Sequence, residues 1–572
     1  MRLLALLLTL AMVAAACSGD GDTATGDTAT GDDAAADDSG GDDDGGDDGG
    51  DDDPEPEPAE EEAVDLGNVE VDEEAASCAN EDVFVPGEFN PGPGLTMANS
   101  LLLSSGLNPH NDQAPAGFSH YTFPFESLVR QDPVDGSVVP WVARCWEASD
   151  AGDQLTFFLN EGITFHDGAP LDAAAVVANV EFIQTAGPPE VLPPVAGQLA
   201  MVESVEAIDD LTVQFNLSGP GETLLLSGLI RNSGFLVSPN ALGSAGANPI
   251  GSGPYVVDSV NADNSEIEFV ANENYWRPQD VGLETVRFLG GVADQARLDG
   301  LNAGQFDAAV ISNNQVDLVP AATQNTTVRI GFVVADWTGE TIPALANRDV
   351  RCAAAAALNR VGIQEAGGNP AESAVKQFAA SPTDYAFIDD LDSPDFDLEL
   401  AQSLIDGSGE DASSIVFSNR HLPATFWPVV SSAFSGALAE IGITMNNEVL
   451  DPPAGSEMFA NLARGDSPIQ IIAFNEPNAL QSLIARTGGG GLNPSGVSPD
   501  GVTELVNEAR GLSFEEGEAA VAEAWQIMIE ECVFIMNNIL TTSIGHQTSV
   551  TGLNHARALP VTFWPQGVRN DG

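Results

Sequence analysis

The chain has 572 residues, with 87 Asp and Glu against 18 Lys and Arg, a formal charge of −69 at pH 7. Phosphate backbones are held by clustered Lys and Arg, so this balance excludes nucleic acid as a partner. A hydrophobic share of 43 % over this length provides for two or three domains with proper cores.

Residues 3–10 form an apolar run after a single charge, Arg2, and small residues follow up to Cys17. The run is too short to span a bilayer, and residues 1–17 read as an export signal. Val13-Ala14-Ala15-Ala16-Cys17 looks like a lipobox with Ala14 where Leu is more usual, which makes Cys17 the expected lipidation site. Ordinary signal cleavage that leaves Cys17 a free thiol is the other reading. Residues 18–74 carry 25 Asp and Glu and no Lys or Arg. Such a stretch cannot bury enough apolar surface to offset the entropy of ordering it, so 18–77 is expected to be a disordered, self-repelling tether. Its GDTATGDTATGDD run lacks the spaced ligands and closing Glu of a calcium loop. Without the tether and Arg2 the remaining chain is still near −45, a charge that favours solubility of a secreted protein in salty water.

Residues 123–183 pass without interruption through turn, strand and helix signals. Asp135-Gly136 is a turn, 154–160 is a β-type run, and His166-Asp167-Gly168 turns into a helix that Asp172 can cap. Val176, Val180 and Ile183 share one helical face, with Val177 beside them. Leu211, Val213, Phe215 and Leu217 alternate as a half-buried strand does. Pro249-Ile250-Gly251-Ser252-Gly253-Pro254-Tyr255 is a Gly-rich turn without the Lys or the helix start of a phosphate loop, and Asn272-Glu273-Asn274-Tyr275-Trp276 follows it. Residues 286–289, 293–303 and 306–311 read as a strand, a helix ended by Gly304, and a strand, a series that implies parallel pairing through a right-handed crossover. Asn347-Arg348-Asp349-Val350-Arg351 leads into a helix over 353–360. Further helices are expected at 397–406, 428–441 and 456–464, before Gly407, Gly442 and Gly465. Last, Val521, Trp525, Met528 and Cys532 make one stripe of an amphipathic helix.

Taken in order, the words FESLV, VPWVARCW, LTFFL, ITFHDGAPLDA, VESVEAIDDLTVQFNL, GSGPY, NENYW, NRDVR and ALAEIGITMNNEVLD resemble those of the extracellular solute-binding proteins of family 5, the oligopeptide-, dipeptide- and nickel-binding components of ABC importers. The likeness covers roughly residues 95–559 with no missing block. It implies an α/β, two-lobed periplasmic-binding-protein-like fold of type II kind, with mixed sheets packed by helices and a hinge beside an interlobe cleft. On that template lobe I, with an extra subdomain, spans 78–330, lobe II spans 331–545, and 546–572 returns to lobe I. Four cysteines beyond Cys17 allow three pairings. The resemblance favours Cys78 with Cys145 and Cys352 with Cys532, one bridge per lobe, which leaves the hinge free.

In peptide-binding members of that family, an Asp after a second-lobe strand pairs with the ligand's amino terminus. The corresponding words here are Ile471-Ile472-Ala473-Phe474-Asn475-Glu476-Pro477-Asn478, with Phe474 in place of a Trp and Pro477 in place of the Asp. Glu476 is the only nearby carboxylate. One reading has Glu476 hold a ligand ammonium by a charge-assisted hydrogen bond, with Phe474 and Trp337 as apolar walls; the other leaves Glu476 solvated and the ligand something other than an ordinary peptide. Asn475, His421 and Asn108 complete the expected ligand-facing set.

No G-x-S-x-G elbow, H-E-x-x-H, C-x-x-C or Gly-rich loop followed by Lys occurs. The cap turn accounts for His166-Asp167, and the other histidines lack metal-ligand spacing. No catalytic residue, metal or cofactor is expected. The resemblance implies a monomer that captures a peptide or similar small solute and delivers it to ABC permease subunits by hinge closure, held by its lipid on the outer face of the cytoplasmic membrane. The rival classes are a secreted hydrolase with an unrecognised site and a ligand sensor coupled to no transporter.

Overall fold

The computed structural model describes residues 71–79, 86–99, 107–111, 120–132, 137–263, 265–366, 369, 371–379, 384–421, 427–449, 468–474, 478–487, 493, 496–553 and 565–572. Cys17, the acidic stretch up to residue 70, the Asp135-Gly136 turn, the 456–464 helix, Asn475 and Glu476 lie outside the described residues.

The first lobe carries β1 Leu95–Ala98, the hairpin β2 Val129–Gln131 and β3 Val138–Pro140, then β4 Ala143–Ala148, β5 Gln154–Leu159, β6 Val202–Asp209, β7 Thr212–Leu217, β8 Tyr255–Val260, β9 Glu266–Ala271, β10 Thr285–Leu289 and β11 Ala308–Ile311. The second contributes β13 Val416–His421, β14 Thr444–Val449 and β15 Ile469–Phe474, and two long strands, β12 Ala321–Val334 and β16 Phe534–His546, are common to both. A short pair, β17 Val550–Thr551 and β18 Arg569–Asn570, closes the chain.

Alternation builds the subdomain sheet, ordered β4-β5-β7-β6. Val213, Phe215 and Leu217 of β7 point inward with Leu155, Phe157 and Leu159 of β5, and the helix Ala173–Thr185 lays Val176, Val180 and Ile183 on the same core. Asp172 caps that helix by accepting from the Ala175 N–H at 2.9 Å. The tether expected through residue 77 ends sooner, because Val71 bridges Val138, Asp72 caps the helix Glu73–Ala76, and Cys78 is bonded to Cys145. The chain is therefore anchored from residue 71 on.

One eight-stranded sheet, ordered β15-β12-β16-β11-β1-β10-β9-β8, runs through both lobes. β10, the helix Asp294–Asn302 and β11 do make a parallel crossover, but β1 lies between the two strands and pairs with each. In the second lobe, successive residues of β12 and β16 face opposite sides, as the strand period requires. Ile330, Phe332 and Ile535 join a core under the helices Arg348–Ala357 and Trp427–Glu440, while Val333, Phe534 and Met536 join another under Val502–Arg510 and Phe514–Glu530. Cys352 is bonded to Cys532, so each lobe holds its own disulfide.

Helix ends differ from expectation in three places. The helix expected over 353–360 starts at Arg348, because the Asn347 side chain accepts from the Asp349 N–H, and stops at Ala357. The one expected to stop before Gly407 runs to Ser408, and Gly409, at φ 77°, ends it. The last long helix ends at Glu530, and Cys532 lies beyond it at φ 52°.

Candidate functional site

β12 and β16 are the two connections that tie the lobes into one sheet. β16 pairs at residues 543–546 with first-lobe β11, and β12 pairs at residues 329–334 with second-lobe β15. The two run antiparallel to each other along their length, with a register shift between Gln324 and Thr327. β15 lies antiparallel to β12 and so runs toward the first lobe, ending at Phe474 opposite Arg329. Asn478 then caps the helix Ala479–Arg486 by accepting from the Gln481 N–H at 3.0 Å. The described strand thus ends at the edge of the second lobe that faces the first, and the chain is described again from Asn478.

Beside this edge the lobes touch. A cavity of about 200 Å³ has one wall from the first lobe, including Gln198, Ser218 and Thr223, and the other from Gln481, Asn507 and Arg510 of the second. The Gly219 backbone lies so close to the second lobe that a Cβ there would sit 2.9 Å from the Arg510 carbonyl oxygen. Next to it the Phe514 N–H donates to Glu222 Oε2 at 3.0 Å across 292 positions of sequence. The Phe514 ring packs on the subdomain core and on the second-lobe core alike, and stacks on Tyr385 with centroids 3.7 Å apart at 14°. Burial, then the Glu518 and Glu222 carboxylates, push the Tyr385 phenol well above its usual range.

The family-like words of the first lobe meet one another. Glu126 is fully buried and accepts from Trp141 Nε1 (2.8 Å), the Tyr275 hydroxyl (2.7 Å), Ser252 Oγ (2.7 Å) and Trp276 Nε1 (3.2 Å to each oxygen). Burial raises its pKa, and the four donors pull it back. Gly251 and Gly253 lie flat against residues 123–125, where added Cβ atoms would come within 1.9 Å of the Pro124 oxygen and 2.3 Å of the Phe123 oxygen. His166 Nε2 bonds to the Gly253 carbonyl, and Asp167 accepts from Ser238 and Asn240. His166 and Asp167 therefore brace a loop.

The expected ligand-facing residues do not all come together. β12 rises roughly 17 Å between Arg329, opposite Phe474, and Val334, opposite Ile469, and Trp337 lies beyond that far end. There Trp337 Nε1 donates to the Val497 carbonyl at 3.3 Å, and the ring bridges the two second-lobe cores. Trp337 thus lies past one end of the β12–β15 pairing, and the Phe474 backbone lies at the other. His421 is buried at the end of β13, opposite Val449. Asn108 accepts from the His110 N–H within its own turn and donates to the Glu190 carbonyl 82 positions away. Glu222, Tyr385 and Phe514 went unsingled in the sequence. The only local signal was the capping box at Ser513 and Glu516, and nothing near it pointed to residue 222. Among the described residues no three His, Cys, Asp or Glu side chains gather as metal ligands would.

Two lobes joined by a pair of shared strands are the architecture of a type II periplasmic-binding-protein fold. Solved structures agree. A dipeptide-binding protein from Pseudoalteromonas in complex with Met-Leu superposes with a TM-score of 0.72 at 17 % identity over 83 % of this chain and 100 % of that one. The Agrobacterium tumefaciens binding protein MoaA in complex with mannopinic acid gives 0.72 at 17 % identity over 84 % and 100 %. A Brucella ovis protein provisionally named an ABC transporter peptide-binding protein is 25 % identical over 445 residues, 70 % of this chain and 78 % of its own length. Residues 137–476 match the model for bacterial extracellular solute-binding proteins, family 5, and the chain belongs to that family.

Proposed function

We propose that this chain captures a peptide or similar small solute between its lobes and delivers it to an ABC importer, with no reaction of its own. The observation that carries this is the pair of shared strands, β12 and β16, beside a second-lobe strand that ends facing the first lobe at Phe474. Hinge closure about those strands would enclose a ligand, and the ligand drives closure by its greater affinity for the closed state. Phe474, Asn475 and Glu476 are proposed to line the second-lobe side. Cys17 is proposed to hold the protein on the outer face of the cytoplasmic membrane after removal of residues 1–16, with the acidic stretch as spacer.

Native mass spectrometry of the purified protein should show a co-purified solute, and incubation with mixed peptides should raise the melting temperature without generating new amino termini. New amino termini would establish a hydrolase instead. Against the solute so identified, if it bears an amine, Glu476→Gln should lose about tenfold or more in affinity, since a charged hydrogen bond contributes about 1.5–3 kcal/mol. Equal affinities by titration calorimetry would remove Glu476 from the site. Cys17→Ser should release the protein from the membrane fraction.

A further inference from the structure

We infer that Glu222, outside the proposed ligand site, is a positioning residue that holds the lobes in their closed pairing and so sets how readily this protein retains a solute. The inference rests on the hinge-closure reading above. The helix Phe514–Glu530 caps itself: Ser513 Oγ accepts from the Glu516 N–H, and the Glu516 carboxylate accepts from the Ser513 N–H. That box leaves the first helical N–H, on Phe514, without an acceptor in its own helix. The acceptor comes from the other lobe, where Glu222 places a carboxylate at the positive end of the helix.

Three further observations make this a fitted contact. The Phe514 ring is shared by the cores of both lobes. Tyr385 of the second-lobe core stacks on that ring, and its neighbour Ala386, at φ 62°, donates its N–H to Glu518 of the same helix at 3.0 Å. Gly219 permits the approach, because any larger residue there meets the Arg510 carbonyl. Opening the lobes would separate Glu222 from Phe514 and bare an apolar ring, whereas the bonds within each lobe would survive. The contact therefore distinguishes the two states, as a residue that biases their equilibrium must.

The test uses the full chain with no added ligand. Spin labels on Glu206→Cys in the first lobe and Ala439→Cys in the second report the interlobe distance distribution, and amide exchange reports Phe514. Glu222→Ala should shift the open-to-closed ratio about tenfold toward the longer distance and speed exchange at Phe514 by a similar factor. Glu222→Gln, which keeps an acceptor without the charge, should fall between. Gly219→Leu should open the junction with Glu222 in place. An unchanged distance distribution in Glu222→Ala overturns the assignment, even if its melting temperature falls, because a merely structural residue would lower stability without moving the lobes. Solute capture is read separately by mass spectrometry, so failure here leaves the binding function standing, and failure there leaves this contact standing.

Discussion

The titratable group at the centre of the first lobe's signature is a carboxyl, and the second lobe buries guanidinium groups. Glu126 is held by side chains alone: two indoles, a phenol and a serine hydroxyl. Arg351 and Arg360 are held mostly by the main chain, the first by the carbonyls of Leu345, Ala346 and Glu531 and by the Glu531 carboxylate, the second by those of Met536 and Pro394. Arg297 repeats the main-chain scheme in the first lobe, on the Val310 and Val292 carbonyls. Three buried side-chain donors, from Trp141, Tyr275 and Ser252, converge on this one carboxyl and lose that acceptor when it is removed. A carbonyl has two lone pairs and tolerates the loss of one partner better. The lobes should therefore respond unequally to loss of their buried titratable groups.

Glu126→Leu is the largest break. It leaves three buried donors, Trp141, Tyr275 and Ser252, without this acceptor, each costing about 1–3 kcal/mol with incomplete additivity, so a loss of about 4–5 kcal/mol is expected. Calorimetry should show it in the transition of the first lobe, with the second little changed; a loss under about 1 kcal/mol would mean that water replaces the carboxylate.

Acid sharpens the comparison, because the first lobe also buries a histidine neutral. His110 Nε2–H donates to the Phe235 carbonyl at 3.0 Å, and burial drives its pKa from 6.5 to about 4. The folded value lies below the unfolded one, so the unfolded chain takes up the proton first as pH falls. Stability is complete above about pH 6.5 and is lost progressively down to about pH 4, for a total of about 3 kcal/mol. His110→Gln should flatten that slope between pH 6.5 and 4; an unaltered slope would place the titration elsewhere.

In the second lobe, Arg360→Met leaves two carbonyls unmet and keeps the apolar stem, for an expected cost of about 2–3 kcal/mol, less than Glu126→Leu. Burial lowers this guanidinium to about 10, so it stays charged at neutral pH. A cost equal to that of Glu126→Leu would erase the proposed difference between the lobes.

The same contrast explains what could be read beforehand. Glu126, Trp141, Ser252, Tyr275 and Trp276 all lie in family-like words, because a cage built of side chains must be written in residue types. The alternation of Val213, Phe215 and Leu217 and the Asp172 cap were legible for the same reason. The carbonyls around Arg351 belong to any residue and leave no trace, and the long-range bond from Phe514 to Glu222 has only its local half, the Ser513 box, in the sequence. Trp337 was grouped with Phe474 on chemical type. Register, which no single strand reveals, sends them to opposite ends of the β12–β15 pairing.

The smallest expected effect is the control for all of this. Each lobe opens one of its helices with an Asp: Asp172 accepts from the Ala175 N–H, and Asp397 from the Glu399 and Leu400 N–H groups at 2.9 Å each. These caps are local, depend on no distant partner and serve helices of 13 and 11 residues. Replacing a capping Asp by Ala costs about 0.5–2 kcal/mol, typically about 1. Asp172→Ala and Asp397→Ala should each lose about 1 kcal/mol from the lobe that contains them, although the first is half-buried and the second exposed. If they match while Glu126→Leu and Arg360→Met differ, the inequality belongs to the buried titratable groups and to how each is held. If the two caps themselves differ by 2 kcal/mol or more, the lobes respond unequally to any perturbation, and the chemistry of their titratable centres is not the reason.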